Sequence, residues 1–255
     1  MKNVLLICRK ELNSYFASPV AYFLLAAFGF VFGAVFHSAT REMVRIGFQS
    51  QMMGQQQPMN VNDWIIRPIM GFASTITLFL LPLVTMRLIA EEKRTGTIEL
   101  LLTSPVTDIE IILGKWLGAL VLYICILGMS MLNIAMLFFW SKPDLKPLLV
   151  GYLGLLLQGA CLLAIGTLIS TLTRNQIVAG GVTFFVCLLL WLMQWFTANE
   201  SNWFLQGLNY VSIVTHMENF QKGLIESKDV IFYFSMIFFS LFLTHRAMDA
   251  LRGRS

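Results

Sequence analysis

Residues 148–172 read LLVGYLGLLLQGACLLAIGTLISTL and contain no charged side chain. The run exceeds the ~20 residues that an α-helix needs to cross the hydrocarbon core of a bilayer. Because lipid offers backbone groups no hydrogen-bond partners, such a segment crosses as a helix or as a strand of a closed barrel. The alternation of apolar and polar residues that marks a barrel strand does not occur here. This stretch therefore predicts a membrane-spanning helix.

Five further apolar runs lie on either side of it, at about 19–37, 68–89 (with Pro82 inside), 116–140, 177–196 and 230–245. The last run is the shortest, and it reaches spanning length only with its flanking residues. The chain is 57% hydrophobic and 13% charged, with a mean hydropathy of +0.72. Soluble domains carry about 25% charged residues. We predict an all-α membrane protein, residues 1–255, built as one domain with six transmembrane helices.

The first residues, 2–18, have a different character. Val4, Cys8, Leu12 and Tyr15 recur at helical spacing, and the polar residues of the segment include Lys2, Arg9, Lys10, Glu11 and Asn13. This pattern predicts an amphipathic helix lying at the membrane interface. The alternative is a secretory signal peptide with its apolar core at 20–36, but no A-x-A-like cleavage site follows closely.

The basic residues predict the orientation of the chain. With the N-terminus in the cytoplasm, the inside segments hold 11 Lys and Arg and the outside segments hold 7. Six helices and both termini in the cytoplasm satisfy this bias. Two outside connections are long. We expect residues 38–67, which include QSQMMGQQQPMN, to form a mobile loop, and residues 197–229 to form an extracytoplasmic segment with short re-entrant or interfacial helices, Trp203 and Tyr210 lying at headgroup level.

The most unusual stretch is the cytoplasmic connection AEEKRTGTIELLLTSPVTDIEIILGKW, residues 90–116. Thr97 is placed to cap a helix over 98–102 that Pro105 ends, and Asp108 is placed to open the next helix. The pattern predicts a compact helical elbow that displays acidic and apolar residues, which suits docking on a soluble partner. An ordinary solvated loop with amphipathic edges is the alternative.

This segment resembles the signature region of ABC-2 type permeases, the membrane subunits of one class of ATP-binding-cassette exporters. In that family a run E-E-x-x-x-G-T-x-E-x-L-L-x-x-P, followed by L-G-K, forms the coupling helix that sits in a cleft of the ATPase. The matching residues here are Glu91, Glu92, Gly96, Thr97, Glu99, Leu101, Leu102, Pro105, Leu113, Gly114 and Lys115. The segment 212–229 is similar to that of the bacterial gliding-motility-associated branch.

The resemblance implies a type V exporter-like architecture in the bacterial inner membrane, with a coupling elbow at 90–115. It also implies two copies of an ABC ATP-binding subunit and a second permease subunit, identical or related. The chain itself has no G-x-x-x-x-G-K-[ST] loop, because Trp116 follows Lys115 where Ser or Thr is needed. We therefore expect no cofactor in this chain, and ATP and Mg²⁺ in the partner ATPase.

No catalytic constellation is predicted. Glu91 and Glu92 are similar to the paired carboxylates of intramembrane CAAX-type proteases, but the downstream Arg of that motif is Gly96 here. The motifs HExxH and GxSxG are missing, and the three histidines lie near predicted segment ends. The four cysteines form no CxxC, so we expect no metal site and no disulfide. A net charge of +4 with dispersed basic residues does not predict nucleic-acid binding.

Few ionisable residues lie inside the predicted spans, which favours ATP over an ion gradient as the energy source. Most polar residues there are expected to bond between helices, and the glycines of helices three and four to allow close packing. Asn133 and Gln158 are the candidates for a substrate path. We expect a permease subunit of an exporter. A non-transporting envelope or motility component driven by the same ATPase, and an intramembrane enzyme, remain as alternatives.

Overall fold

A computed structural model describes residues 2–53, 60–103, 105–140, 143–197 and 210–252. Within these ranges the secondary structure is helical, without strands. The α-helices are α1 Lys2–Ala17, α2 Pro19–Met52, α3 Arg67–Thr85, α4 Ala90–Thr95, α5 Thr97–Thr103, α6 Asp108–Trp140, α7 Leu145–Leu172, α8 Gln176–Thr197, α9 Ile213–Gln221 and α10 Ser227–Arg252. A π-helical turn, Asn62–Ile66, leads into α3.

Six helical segments of the described chain are long and apolar enough to cross a membrane: Pro19–Met52, Asn62–Thr95, Asp108–Phe139, Leu145–Leu172, Gln176–Gln194 and Ser227–Arg252. The prediction of an all-α protein with six spans is confirmed. Its boundaries are wrong at two places. The last helix extends well beyond 230–245, because its amphipathic continuation keeps Thr244 and Met248 buried.

The first span continues as one helix through Met52 rather than ending at about residue 37. No proline interrupts residues 38–52, and Arg45 pairs with Glu42 one turn earlier, with Nη2 and Oε1 2.5 Å apart. At 1.5 Å per residue, the 34 residues of α2 measure about 51 Å, well over the ~30 Å of a hydrocarbon core. Much of the predicted loop at 38–67 is therefore helix, and residues 54–59 lie outside the described ranges.

Helix α7, which contains residues 148–172, lies at the centre of the bundle and is its most buried span. Glycines let its neighbours approach. A Cβ on Gly154 would lie 2.5 Å from the Phe220 Cβ of α9, and one on Gly159 would lie 2.0 Å from Tyr123 Cε1 of α6. A Cβ on Gly166 would lie 2.3 Å from an oxygen of α3. The expected close packing at these glycines is confirmed.

Helix α1 packs along the first half of α6 and buries Cys8 and Tyr15. Gly114 and Gly118 make this possible, since a Cβ on Gly114 would lie 2.7 Å from Ile7. The Tyr15 hydroxyl donates a hydrogen bond to the Val84 carbonyl oxygen at 3.2 Å. Burial raises the pKa of Tyr15 above its usual range, and the nearby acidic side chains raise it further, so the hydroxyl stays protonated as a donor.

In the long segment 197–229, helix α9 packs against the early part of α7. His216 on α9 is buried, with Nδ1 2.6 Å from Asp229 Oδ1 and Nε2 2.8 Å from the Tyr210 carbonyl oxygen. These contacts fasten α9 to the start of α10. The predicted short helix is therefore present, whereas Trp203 lies outside the described residues.

Candidate functional site: the elbow after the second span

The connection from the second span to the third contains two short helices separated by a glycine. Helix α4 ends at Gly96, whose φ is +75°. A glycine adopts this left-handed conformation without the strain of a Cβ, and such a residue is a common helix end. Helix α5 begins at the next residue. We call residues 90–106 the elbow.

Helix α5 has one packed face and one exposed face. Ile98 and Leu101 lie three residues apart and pack toward a buried cluster that includes Ile112 and Met248. Leu100 points the other way and is 73% exposed, and Glu99 and Thr103 are exposed beside it. The side chains of Glu99 and Leu100 therefore lie next to each other on the face of α5 that does not pack on the described bundle.

A buried lysine of α6, Lys115, contacts both α1 and α4. Lys115 of α6 is 2% exposed, and a lysine ammonium has three donors. Its Nζ lies 2.7 Å from Glu11 Oε1 of α1, 2.8 Å from Glu92 Oε1 of α4 and 2.8 Å from the Leu88 carbonyl oxygen. All three donors are thus used. Since a buried charge is tolerated only when it is paired, this cluster fixes α1 and α4 to α6.

The start of α4 is also fastened to the central helix. The Ser170 Oγ of α7 accepts hydrogen bonds from the backbone N–H groups of Ile89 and Ala90, at 3.1 and 3.0 Å. These are donors that a helix leaves unpaired at its first turn. Lys93 Nζ donates to the Thr171 carbonyl oxygen at the end of α7. The elbow therefore has direct connections to α1, α6 and α7.

The exit from the elbow is a capping box. Thr107 Oγ1 accepts from the Glu110 N–H at 3.4 Å, and Glu110 Oε2 accepts from the Thr107 N–H at 3.2 Å. Asp108 is the first residue of α6, as predicted, and Thr107 is the residue that caps the helix. Asp108 is 4% exposed and pairs with Arg252 of α10, with Oδ1 and Nη1 3.0 Å apart.

The other predicted coupling residues of the elbow differ in their exposure and contacts. Glu91 is half-exposed and faces Arg87, with Oε2 and Nε 3.8 Å apart. Thr97 is the first residue of α5 rather than the residue before it, and its hydroxyl contacts Thr95 Oγ1 at 2.9 Å. Pro105 follows α5 and is exposed. The side chain of Leu102 lies outside the described part of the structure.

Residues 42–225 match the family described as ABC-2 family transporter protein. The match spans more than half of the chain and includes the whole elbow. The chain belongs to the ABC-2 transporter family. Among curated proteins, none matches it. Family membership makes this chain the membrane component of a transporter and implies association with an ATP-binding subunit.

Two residues that hold the elbow of this ABC-2 protein were not predicted from the sequence. One is Ser170, whose role depends on the end of α7 meeting α4, and no local pattern indicates that. The other is Glu11, for which a signal exists. It is the acidic residue of α1, and it falls on the face that carries Val4, Cys8 and Tyr15, where an apolar side chain is expected.

The two candidates for the substrate path lie in different surroundings. Gln158 is fully buried between α7 and α3, where its Oε1 accepts from Ser74 Oγ at 2.8 Å and its Nε2 donates to the Ser74 carbonyl oxygen at 3.3 Å. Asn133 is half-buried beside Gly33 of α2 and donates to the Met129 carbonyl oxygen at 3.4 Å. A role for either residue in a substrate path of the permease stays a prediction.

Proposed function

We propose that this chain is the permease subunit of an ATP-binding-cassette exporter and that the elbow docks on a separate ATPase subunit. The observation that carries the proposal is the exposed face of α5. Glu99 and Leu100 are turned to solvent while the other face of the same short helix is packed on the bundle. A rigidly held helix with a free acidic and apolar face suits a cleft in a soluble partner.

The contacts behind this face support a coupling role. Glu92 is joined to α6 and α1 through Lys115, and the N-terminus of α4 is joined to α7 through Ser170. A displacement of the docked elbow would therefore move three helices together as packed bodies. Closure of the ATPases around ATP would supply that displacement, and ATP and Mg²⁺ would be held by those subunits.

We further propose the orientation and assembly that the charge bias and the family favour. An even number of spans puts both termini on one side, and that side would be the cytoplasm of a bacterial inner membrane. Gly154, where α9 packs, and Ser170, where the elbow packs, are about 24 Å apart along α7. Segment 210–229 would accordingly face the outside. Two ATPase subunits and a second permease would complete the transporter, and substrate would move outward.

The test is charge reversal on the exposed face, Glu99→Lys, in the transporter purified with its ATPase and reconstituted in vesicles. We expect ATPase stimulation by the permease to fall at least about tenfold, because a like-charge contact in an interface costs several kcal/mol. Glu42→Lys, a charge reversal at another exposed glutamate, which lies on α2, is the control and should leave stimulation unchanged.

Normal stimulation by the Glu99→Lys protein would exclude α5 as the docking helix. Wild-type vesicles that hydrolyse ATP in a permease-dependent way but move no substrate would instead identify an envelope or motility component. Because the two readouts differ, docking and transport are tested separately.

A further inference from the structure

A second polar cluster lies where the elbow enters α6 and is independent of the proposed docking face. The carboxylates of Asp108 and Asp249 and the imidazole of His245 converge, with one ligand atom of each lying within 4.8 Å of the other two. They line a cavity of about 370 Å³ bounded on one side by Pro105. We propose that Asp108, His245 and Asp249 bind one divalent transition-metal cation, with Zn²⁺ as the natural probe.

The helical spacing suits a cation. His245 and Asp249 are four residues apart on α10 and so project from one face, which is the spacing that pairs two ligands in helical zinc motifs. His245 Nε2 and Asp249 Oδ2 are 3.6 Å apart. Two ligands on a tetrahedral Zn²⁺ with bonds of about 2.1 Å are ~3.4 Å apart, so this pair is already close to coordination geometry.

The third ligand, Asp108, comes from α6, so a bound cation would connect α6 with α10. Asp108 opens α6 and is almost fully buried, whereas Asp249 and His245 are 43% and 31% exposed in their side chains. The ligand atoms lie up to 4.8 Å apart, at most about 1.4 Å more than in a tetrahedral site, and rotation of these two freer side chains would close that difference. The cavity leaves room for water to complete the coordination shell.

The chemistry of the cluster favours a metal over other ligands. His245 and the two carboxylates together offer a cation one imidazole nitrogen and several carboxylate oxygens. Two carboxylates face one guanidinium, that of Arg252, which leaves the cluster with an excess of negative charge. Imidazole with carboxylates suits Zn²⁺ and its neighbours, whereas Mg²⁺ prefers oxygen ligands alone.

Substitution of Arg252 tests whether Asp108 binds a cation. Arg252 Nη1 lies 3.0 Å from Asp108 Oδ1, so it competes with a cation for that carboxylate. Removing the guanidinium therefore frees a ligand and lowers the local positive charge. A bound cation would in turn hold the end of α10 against the exit of the elbow, where Pro105 and Thr107 form the wall of the same cavity.

The experiment is Zn²⁺ titration, by calorimetry and by competition with a chromophoric chelator, on the full-length chain purified in detergent and first stripped with a chelator. We expect one Zn²⁺ per chain and no displacement by excess Mg²⁺. His245→Ala and Asp249→Asn should each weaken binding at least about tenfold. Asp249→His, which keeps a ligand, should restore it, and Arg252→Gln should tighten it severalfold.

His37→Ala is the matched control, because His37 is exposed on α2 far from the cluster and should not affect the titration. X-ray absorption at the zinc edge should show nitrogen and oxygen ligands, which separates this site from binding by the four cysteines. Equal affinity of wild type and Asp249→Asn, weaker binding in Arg252→Gln, or sulfur ligation would each overturn the proposal.

Discussion

Replacing Lys115 by methionine, which keeps the length of the side chain and removes its charge, tests how the elbow is held. Glu11 Oε1 and Glu92 Oε1 lie 2.7 and 2.8 Å from the same Nζ, so these two oxygens are no more than about 5.5 Å apart. Without the ammonium, two carboxylates at that separation repel by ~3 kcal/mol at an effective dielectric constant of 20. The value agrees with the ~3–5 kcal/mol lost when one partner of a buried ion pair is removed.

The assay is thermal unfolding of the purified full-length protein, followed by tryptophan fluorescence. At about 2–4 °C per kcal/mol for a chain of this size, Lys115→Met should lower Tm by ~6–12 °C. The triple variant Lys115→Met, Glu11→Gln, Glu92→Gln removes the repulsion and should recover most of the loss. Lys10→Met, at an exposed lysine of α1 next to Glu11, is the control and should change Tm little.

Two results would refute this reasoning. Equal Tm for Lys115→Met and Lys10→Met would mean that the buried cluster contributes nothing net to stability. A triple variant no more stable than Lys115→Met alone would mean that the loss comes from packing rather than from uncompensated carboxylates.

Three further substitutions test other parts of the account. Gly96→Ala should destabilise the elbow by ~1 kcal/mol through its positive φ alone, because no atom lies within 4 Å of the new Cβ. Gly96→Asn should cost less, since asparagine tolerates this conformation better. Equal Tm values for the two variants would contradict this. Gly159→Ala should lower Tm by more than Gly181→Ala, since only the former places a Cβ against Tyr123, and a reversed order would be the contrary result. Gln158→Leu should lower the free energy of unfolding by about 0.6–1.7 kcal/mol, because interhelical hydrogen bonds are lost. A shift in the transport KM without a matching loss of Tm would instead support contact of Gln158 with the substrate.

Hydropathy was sufficient to predict the spans, because each helix must cover the same hydrocarbon thickness with apolar side chains. Hydropathy did not predict where the helices end. The continuation of α2 to Met52 is compatible with the absence of proline from residues 38–52, which hydropathy does not report. The extension of α10 beyond residue 245 keeps one face buried, with Met248 inside the bundle, although the surface around it is polar.

In the elbow, too, local features could be predicted from the sequence, whereas contacts between distant segments could not. Turn chemistry at Thr97 and Pro105 is local, so helix α5 could be predicted from the sequence, whereas the separate helix α4 was not predicted. Lys115 was predicted as a coupling residue from the motif alone. Its burial could not be predicted, because its partner Glu11 lies 104 residues earlier on a helix that only the tertiary fold brings close. The contact of Ser170 with α4 is equally non-local. The sequence therefore predicted which segment is distinctive, while the structure separates its exposed face from its anchors.

The most direct test of the central claim is a photo-crosslinking amino acid at position 100, in the transporter assembled with its ATP-binding subunit. Leu100 is 73% exposed on α5, and position 48 on α2, where Phe48 is 63% exposed, provides the control at the far end of the first span. We predict a crosslink to the ATP-binding subunit from position 100 and none from position 48. A crosslink from position 48 together with none from position 100 would contradict both the docking role of the elbow and the proposed orientation in the membrane.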